Sequence, residues 1–186
     1  MFFKKYWDRF GLMIANNYAV INSHFSRKDL FKHLAKIFSP AHSFGDWRKN
    51  LQYLLRKHSY ISVLDNPHLP HSFKKSYFEK LWDMEPEICA ETSQSKFRKP
   101  TDITSWLVRD LQLMEGSFTP VSRKSRGKYF SLESATAEKI ATRMKKPYKM
   151  ICINDGYSSY EQFEGDKKVL TEAFARKLPN KSSFEK

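Results

Sequence analysis

The sequence predicts a helix-dominated mixed α/β fold with two or three short strands. Apolar residues recur at helical spacing through most of the chain. Ser-led capping boxes stand just before several of those stretches. Only residues 60–64, 129–130 and 148–153 alternate or run apolar in the way strands do. The 186 residues, 40% of them apolar, are enough to bury about two-thirds of the surface the unfolded chain exposes. No internal repeat or low-complexity linker divides the chain. We read residues 1–58 as an N-terminal helical segment and 59–186 as one continuous domain.

The elements follow in order. Phe3, Tyr6, Trp7, Phe10 and Ile14 fall on one helical stripe, with Lys4, Lys5 and Arg9 elsewhere on the wheel. Such a helix either packs on another surface or lies on a membrane. Ser26-Arg27-Lys28-Asp29 is a capping box opening a helix through Phe38, and Ser43-Phe44-Gly45-Asp46 opens another with Trp47, Leu51, Leu54 and Leu55 inward. Residues 60–64 are β-branched and alternating, a short strand. Pro67 and Pro70 then hold the chain extended. Phe73, Tyr77, Leu81 and Met84 form the stripe of a helix over 72–84 that stops at Pro86. Thr101 caps a helix carrying Ile103, Trp106, Leu107, Leu111 and Met114, ended by Gly116. A basic loop over 121–128 leads to a strand at 129–130, a helix over 133–145 and an apolar strand over 148–153. That strand ends in the turn signal Asn154-Asp155-Gly156. Ser159-Tyr160-Glu161-Gln162 opens the last helix, with Phe163, Leu170, Phe174 and Leu178 inward, closed by Pro179.

The net charge of +13 favours anionic partners: nucleic acid, lipid head groups or phosphorylated small molecules. The aromatic residues fall at core spacing rather than between the basic runs, and no nucleic-acid motif is present, so no nucleic-acid partner is expected. Cys89 and Cys152 sit in apolar settings and make no disulfide framework, which points to a reducing compartment. Lys4, Lys5, Asp8 and Arg9 interrupt the first apolar stretch, so no secretory signal is read, and no run reaches spanning length. A cytoplasmic location is expected, with room for peripheral contact at the inner membrane.

Three strings carry chemistry. Pro67-His68-Leu69-Pro70-His71 holds two imidazoles on a backbone restricted by prolines; they are either turn residues or groups for acid–base work and phosphate contact. In Lys96-Phe97-Arg98-Lys99-Pro100-Thr101-Asp102, the Arg98 guanidinium can bridge two phosphate oxygens beside the N–H groups of the Thr101 helix, or simply pair with Asp102. Asn154-Asp155-Gly156 ends a strand, where ligands of open α/β sheets bind, or is an ordinary turn.

These strings resemble the Stealth family of sugar-phosphate transferases. His68-Leu69-Pro70-His71, the following helix, Phe97-Arg98 and Thr101-Asp102 look like its third conserved region. Cys152-Ile153-Asn154-Asp155, the last helix, Pro179 and Ser182-Ser183-Phe184-Glu185 look like its fourth. The resemblance covers residues from about 60 to 186, and the ending looks like the bacterial capsule branch. It implies transfer of a hexose-1-phosphate from a nucleotide sugar to an acceptor hydroxyl of a glycan. It makes His68 the acid/base, Arg98 the clamp on the pyrophosphate, and Asn154 and Asp155 part of the donor site. His71 is secondary, and a divalent cation (Mg or Mn) is a candidate cofactor. The family's first two regions, a Tyr-Thr-Trp-Val-like and an Asn-Asp-Asp-like segment, do not occur here. The expectation is therefore the C-terminal portion of a larger α/β transferase, inactive without an upstream polypeptide. The rival reading is a basic, non-catalytic module for nucleic acid or anionic membrane.

Overall fold

A computed structural model describes residues 9–65, 70–122, 127–133, 135–156 and 159–184. They form two compact units, one of residues 9–65 with 70–120, the other of the described residues from 121 onward. Helices predominate, and the described strands are two, so the helix-dominated α/β expectation holds.

The first unit contains α1 (Arg9–His24), a 3-10 helix (Arg27–His33), α2 (Leu34–Ile37), α3 (Phe44–Leu54), α4 (Lys75–Met84), α5 (Pro86–Gln94) and α6 (Trp106–Met114). Its core gathers Val20 and Ile21 of α1, Leu54 of α3, Leu81 of α4, Cys89 of α5, and Leu107, Val108, Leu111 and Met114 of α6. The first helix runs well past Ile14, and Phe3, Tyr6 and Trp7 of its expected stripe lie outside the described residues. Three asparagines of α1 are what the apolar pattern did not anticipate. Asn16, Asn17 and Asn22 use their amides to tie down neighbouring irregular backbone.

Five expectations for the first unit need correction. Of the residues expected inward on α3, Leu54 is buried but Leu51 and Leu55 are exposed. The helix through Phe38 is two pieces with a break at His33, where the ring hydrogen-bonds the Met114 carbonyl at 3.1 Å. Residues 60–64 pair with no strand among the described residues. The Asn22 amide accepts the Ile61 N–H at 2.6 Å and donates to the Ile61 carbonyl at 2.9 Å, while the Tyr53 and Tyr18 hydroxyls accept the N–H groups of Ser62 and Leu64. Side chains thus supply the bonds a partner strand would have made. Pro86 starts α5 rather than only ending α4, because proline at the first helical position gives up an N–H that has no intrahelical acceptor. Finally, α6 begins at Trp106 and not at Thr101, since the N–H groups before it are already spent on loop contacts, described below. Its other end matches expectation. Gly116 has φ +67°, its N–H donates to Leu113 and the Ser117 N–H to Gln112, the two bonds of a Schellman cap.

The second unit is a β–α–β unit followed by a helix: β1 (Lys128–Ser131), α7 (Ala137–Met144), β2 (Ile151–Asn154) and α8 (Tyr160–Lys177). The strands are parallel, with Lys128 opposite Ile151 and Ser131 opposite Asn154. Thr136 and Ser159 cap α7 and α8 through the N–H groups of Lys139 and Gln162. Phe130, Ile140, Met144 and Ala173 are the core. Ala173 takes the innermost place on α8, leaving Phe174 at 38% and Leu178 at 67% exposure, so those two do not face inward as the stripe suggested.

Candidate functional site

The segment that carries Arg98 is held in shape by buried polar side chains. The Asp102 carboxylate accepts the Lys99 N–H at 2.7 Å and the Ser95 hydroxyl at 2.8 Å. Those bonds, the backbone one foremost, hold its carboxyl below the ordinary carboxylate range. Asn16 donates to the carbonyls of Pro100 and Asp102, and Asn17 forms a two-way pair with Thr104: its amide N–H donates to the hydroxyl at 2.8 Å and its carbonyl accepts the Thr104 N–H at 3.0 Å. Asp102 is therefore occupied in shaping the loop, and the ion pair with Arg98 considered from sequence does not form. The helix N-terminus expected beside Arg98 at Thr101 is also absent.

Arg98 instead lies, exposed, on a hollow of about 250 Å³ that it lines with Phe10, Met13, Thr104, Ser105 and Trp106. The hollow thus sets a guanidinium and two hydroxyls, groups that can donate to an anion, beside an aromatic wall. The ring of His71 meets that same indole edge-on, with centroids 5.2 Å apart. His71 and Arg98 thus border one side chain, Trp106, although 27 residues of sequence separate them. His68 lies outside the described residues.

Arg109 and Asp110 escaped the sequence reading, and Trp106 was read only as core. The Arg109 guanidinium stands 5.9 Å from the Trp106 ring and donates at 2.8 Å to the Asp65 carbonyl, just ahead of the histidine segment. Asp110, one turn beyond Trp106 on α6, is 1% exposed with its carboxylate 3.5 Å from Arg109. Burial pushes its pKa up to about 7, outweighing the opposing pull of Arg109. The available signal was an Arg-Asp pair set inside the apolar run of α6, where charge is costly unless it has work to do.

Asn154 and Asp155 sit in the second unit. Asn154 ends β2 and its carbonyl accepts the Leu132 N–H at 3.0 Å. Asp155 lines a separate hollow of about 380 Å³ with residues of α8. The four described candidates are thus divided: His71 and Arg98 about Trp106 in one unit, Asn154 and Asp155 at the carboxyl end of the parallel pair in the other. Among the described residues no three His, Cys, Asp or Glu side chains gather as a protein-held metal centre requires. Nor is any helix among them long and apolar enough to cross a membrane.

Comparison with known proteins extends these observations. A capsular polysaccharide phosphotransferase, WcwK, of Streptococcus pneumoniae is 35% identical over 175 residues, covering 94% of this chain and 51% of the relative. The exopolysaccharide phosphotransferase cps2G of Lactiplantibacillus plantarum is 34% identical over 181 residues, 96% of this chain and 52% of its own. The receptor polysaccharide phosphotransferase WefC of Streptococcus gordonii is 31% identical over 173 residues, 91% and 50%. The chain spans about half the length of the curated relatives it matches. No family model matches it, and no solved structure does. Along nearly its whole length, this chain is similar to bacterial capsular and exopolysaccharide phosphotransferases.

Proposed function

We propose that the chain supplies part of the active site of a polysaccharide phosphotransferase that moves a hexose-1-phosphate from a nucleotide sugar to a glycan hydroxyl. In this reading Arg98 grips the diphosphate and stabilises charge on the transferred phosphoryl group. His68 takes the proton of the acceptor hydroxyl as its oxygen bonds to phosphorus, and the bond to the departing nucleoside monophosphate breaks. Asn154 and Asp155 complete the donor site, and His71, set against Trp106, orients the histidine segment. The observation that carries the reading is the shared indole, bordered by His71 and by the Arg98 hollow, in a chain whose relatives are named phosphotransferases. Nothing comparable favours the nucleic-acid alternative.

The partners in this proposal are a nucleotide-sugar donor, a glycan acceptor and a polypeptide equivalent to the rest of the relatives' length. Calorimetric titration with a nucleoside diphosphate sugar tests the site. Arg98→Ala is expected to weaken binding at least about tenfold, the scale of a lost charge-assisted hydrogen bond, with Arg98→Lys restoring only part. Equal affinity in all three proteins overturns the assignment. Transfer itself is expected only when the remaining half of a relative is supplied, and to vanish with His68→Ala. Robust turnover by the chain by itself contradicts that part of the proposal.

Peripheral contact with an anionic membrane belongs to the same proposal. On α3 only Leu54 is buried. Phe44, Leu51 and Leu55, which share its other apolar edge, are exposed, and Arg48, Lys49, Arg56 and Lys57 lie close by in sequence.

A further inference from the structure

The hollow beside Asp155 has a lining that the transfer chemistry does not call for. Leu132 and Ile153 come from the strand segment, and Phe163, Lys167, Thr171 and Phe174 from successive turns of α8. It lies off the carboxyl ends of two parallel strands, the usual place for ligands in α/β sheets. Its volume of about 380 Å³ is near the low end for small-molecule sites, which span roughly 300–1,000 Å³.

We propose that this hollow binds a neutral pyranose unit of the substrate, a deepening that rests on the transferase reading above. The lining fits that ligand better than its rivals. Asp155 only accepts hydrogen bonds, Lys167 only donates them and the Thr171 hydroxyl does both, so a set of sugar hydroxyls can satisfy all three. The two charges are of opposite sign, so the rim offers no net attraction to a phosphate, which Lys167 would draw and Asp155 repel. An acyl chain would remove Asp155 from water without giving it a partner, and would bury the Lys167 ammonium with its 3.1 Å pair to Glu164. The Phe163 and Phe174 rings give the C–H face of a pyranose the apolar surface it needs. The partial exposure of Phe174, anomalous for an inward stripe, is then explained as the wall of a site.

The test uses the full chain and saturation-transfer NMR with methyl glycosides of glucose, galactose and N-acetylglucosamine, run with and without a nucleoside diphosphate. At least one neutral glycoside is expected to receive saturation at its ring protons, and the diphosphate not to displace it. Phe174→Leu keeps apolar volume but removes the ring, and Thr171→Val keeps the volume of an exposed side chain but removes its hydroxyl. Each is expected to weaken glycoside binding about fivefold, the scale of one modest contact, while leaving diphosphate binding unchanged. Absence of saturation in the parent chain, displacement by the diphosphate, or indifference to both variants overturns the proposal. Arg98-dependent diphosphate binding without glycoside binding would sink this inference and leave the transferase reading standing. Glycoside binding without any diphosphate response would do the reverse.

Discussion

Asn17 is the residue on which the geometry of the Arg98 segment turns. It is fully buried, and its amide is matched in both directions by Thr104. Asn17→Ala leaves the Thr104 N–H without its acceptor, at a cost of about 1–3 kcal/mol. Because Thr104 lines the Arg98 hollow, the same change should also weaken diphosphate binding. Denaturant unfolding checks the first effect and calorimetry the second; a loss of stability with unchanged binding would mean Arg98 is held by other means. Asp110 makes a pH prediction. Its folded-state pKa is raised from 3.8 to about 7 by burial. The folded state therefore keeps a proton that the unfolded chain loses, and stability falls as pH rises from about 4 to about 7, then levels off. At 1.36 kcal/mol per unit, the loss is at most on the order of 4 kcal/mol. Asp110→Asn cannot ionise, so its stability advantage over the parent should widen across that window. Parallel pH-stability curves for the two proteins would contradict the buried, protonated carboxyl.

At the scale of elements, what was legible was whatever local chemistry decides. Ser26, Ser43 and Ser159 cap where their side chains and the residues three further on said they would, and Gly116 ends α6. What was not legible was long-range. The β-branched run at 60–64 looks like a strand, but Asn22 arrives from 39 residues away to take its hydrogen bonds. Thr101 looks like a cap, but Asn17, 87 residues before Thr104, fixes that backbone as a loop. Pro86 carries both meanings of a proline, stop and start, and the sequence does not choose between them. Gly127 offers a test of the β1–β2 pair. Its hydrogen faces the Met150 backbone, and a Cβ there would collide with the Met150 carbonyl, the acceptor for the Lys128 N–H. Gly127→Ala must push β1 away from β2 or shift its register, at a cost of about 1–3 kcal/mol. Faster amide exchange at the paired residues 128–131 and 151–154, with the first unit unaffected, is the expected outcome. Unchanged protection would show that the strands tolerate the separation.

Over the whole molecule, the three chemical strings can be read from the sequence, but the side chains that surround them cannot. Sequence gave His71 and Arg98 no reason to share Trp106, because the indole fits a core stripe equally well; only the packing of α6 gives it a second role. The charge of +13 is likewise readable as a total and silent about placement. On α3 the apolar residues that do not reach the core, Phe44, Leu51 and Leu55, share a helix region with Arg48 and Lys49, the composition of a surface helix resting on anionic lipid. The two forces leave different signatures. Electrostatic attraction is screened over about 8 Å at physiological ionic strength, whereas apolar insertion is not. Co-sedimentation with vesicles containing anionic phospholipid is therefore expected at low salt, to weaken steeply as salt rises, and to be absent with purely zwitterionic vesicles. Leu51→Ser with Leu55→Ser should reduce binding at every salt concentration without changing its slope, while Arg48→Gln with Lys49→Gln should flatten the slope. These side chains are exposed, so either pair should leave the thermal midpoint nearly unchanged. A chain that ignores anionic vesicles at low salt would assign the stripe to a protein neighbour instead, such as the polypeptide equivalent to the other half of the relatives.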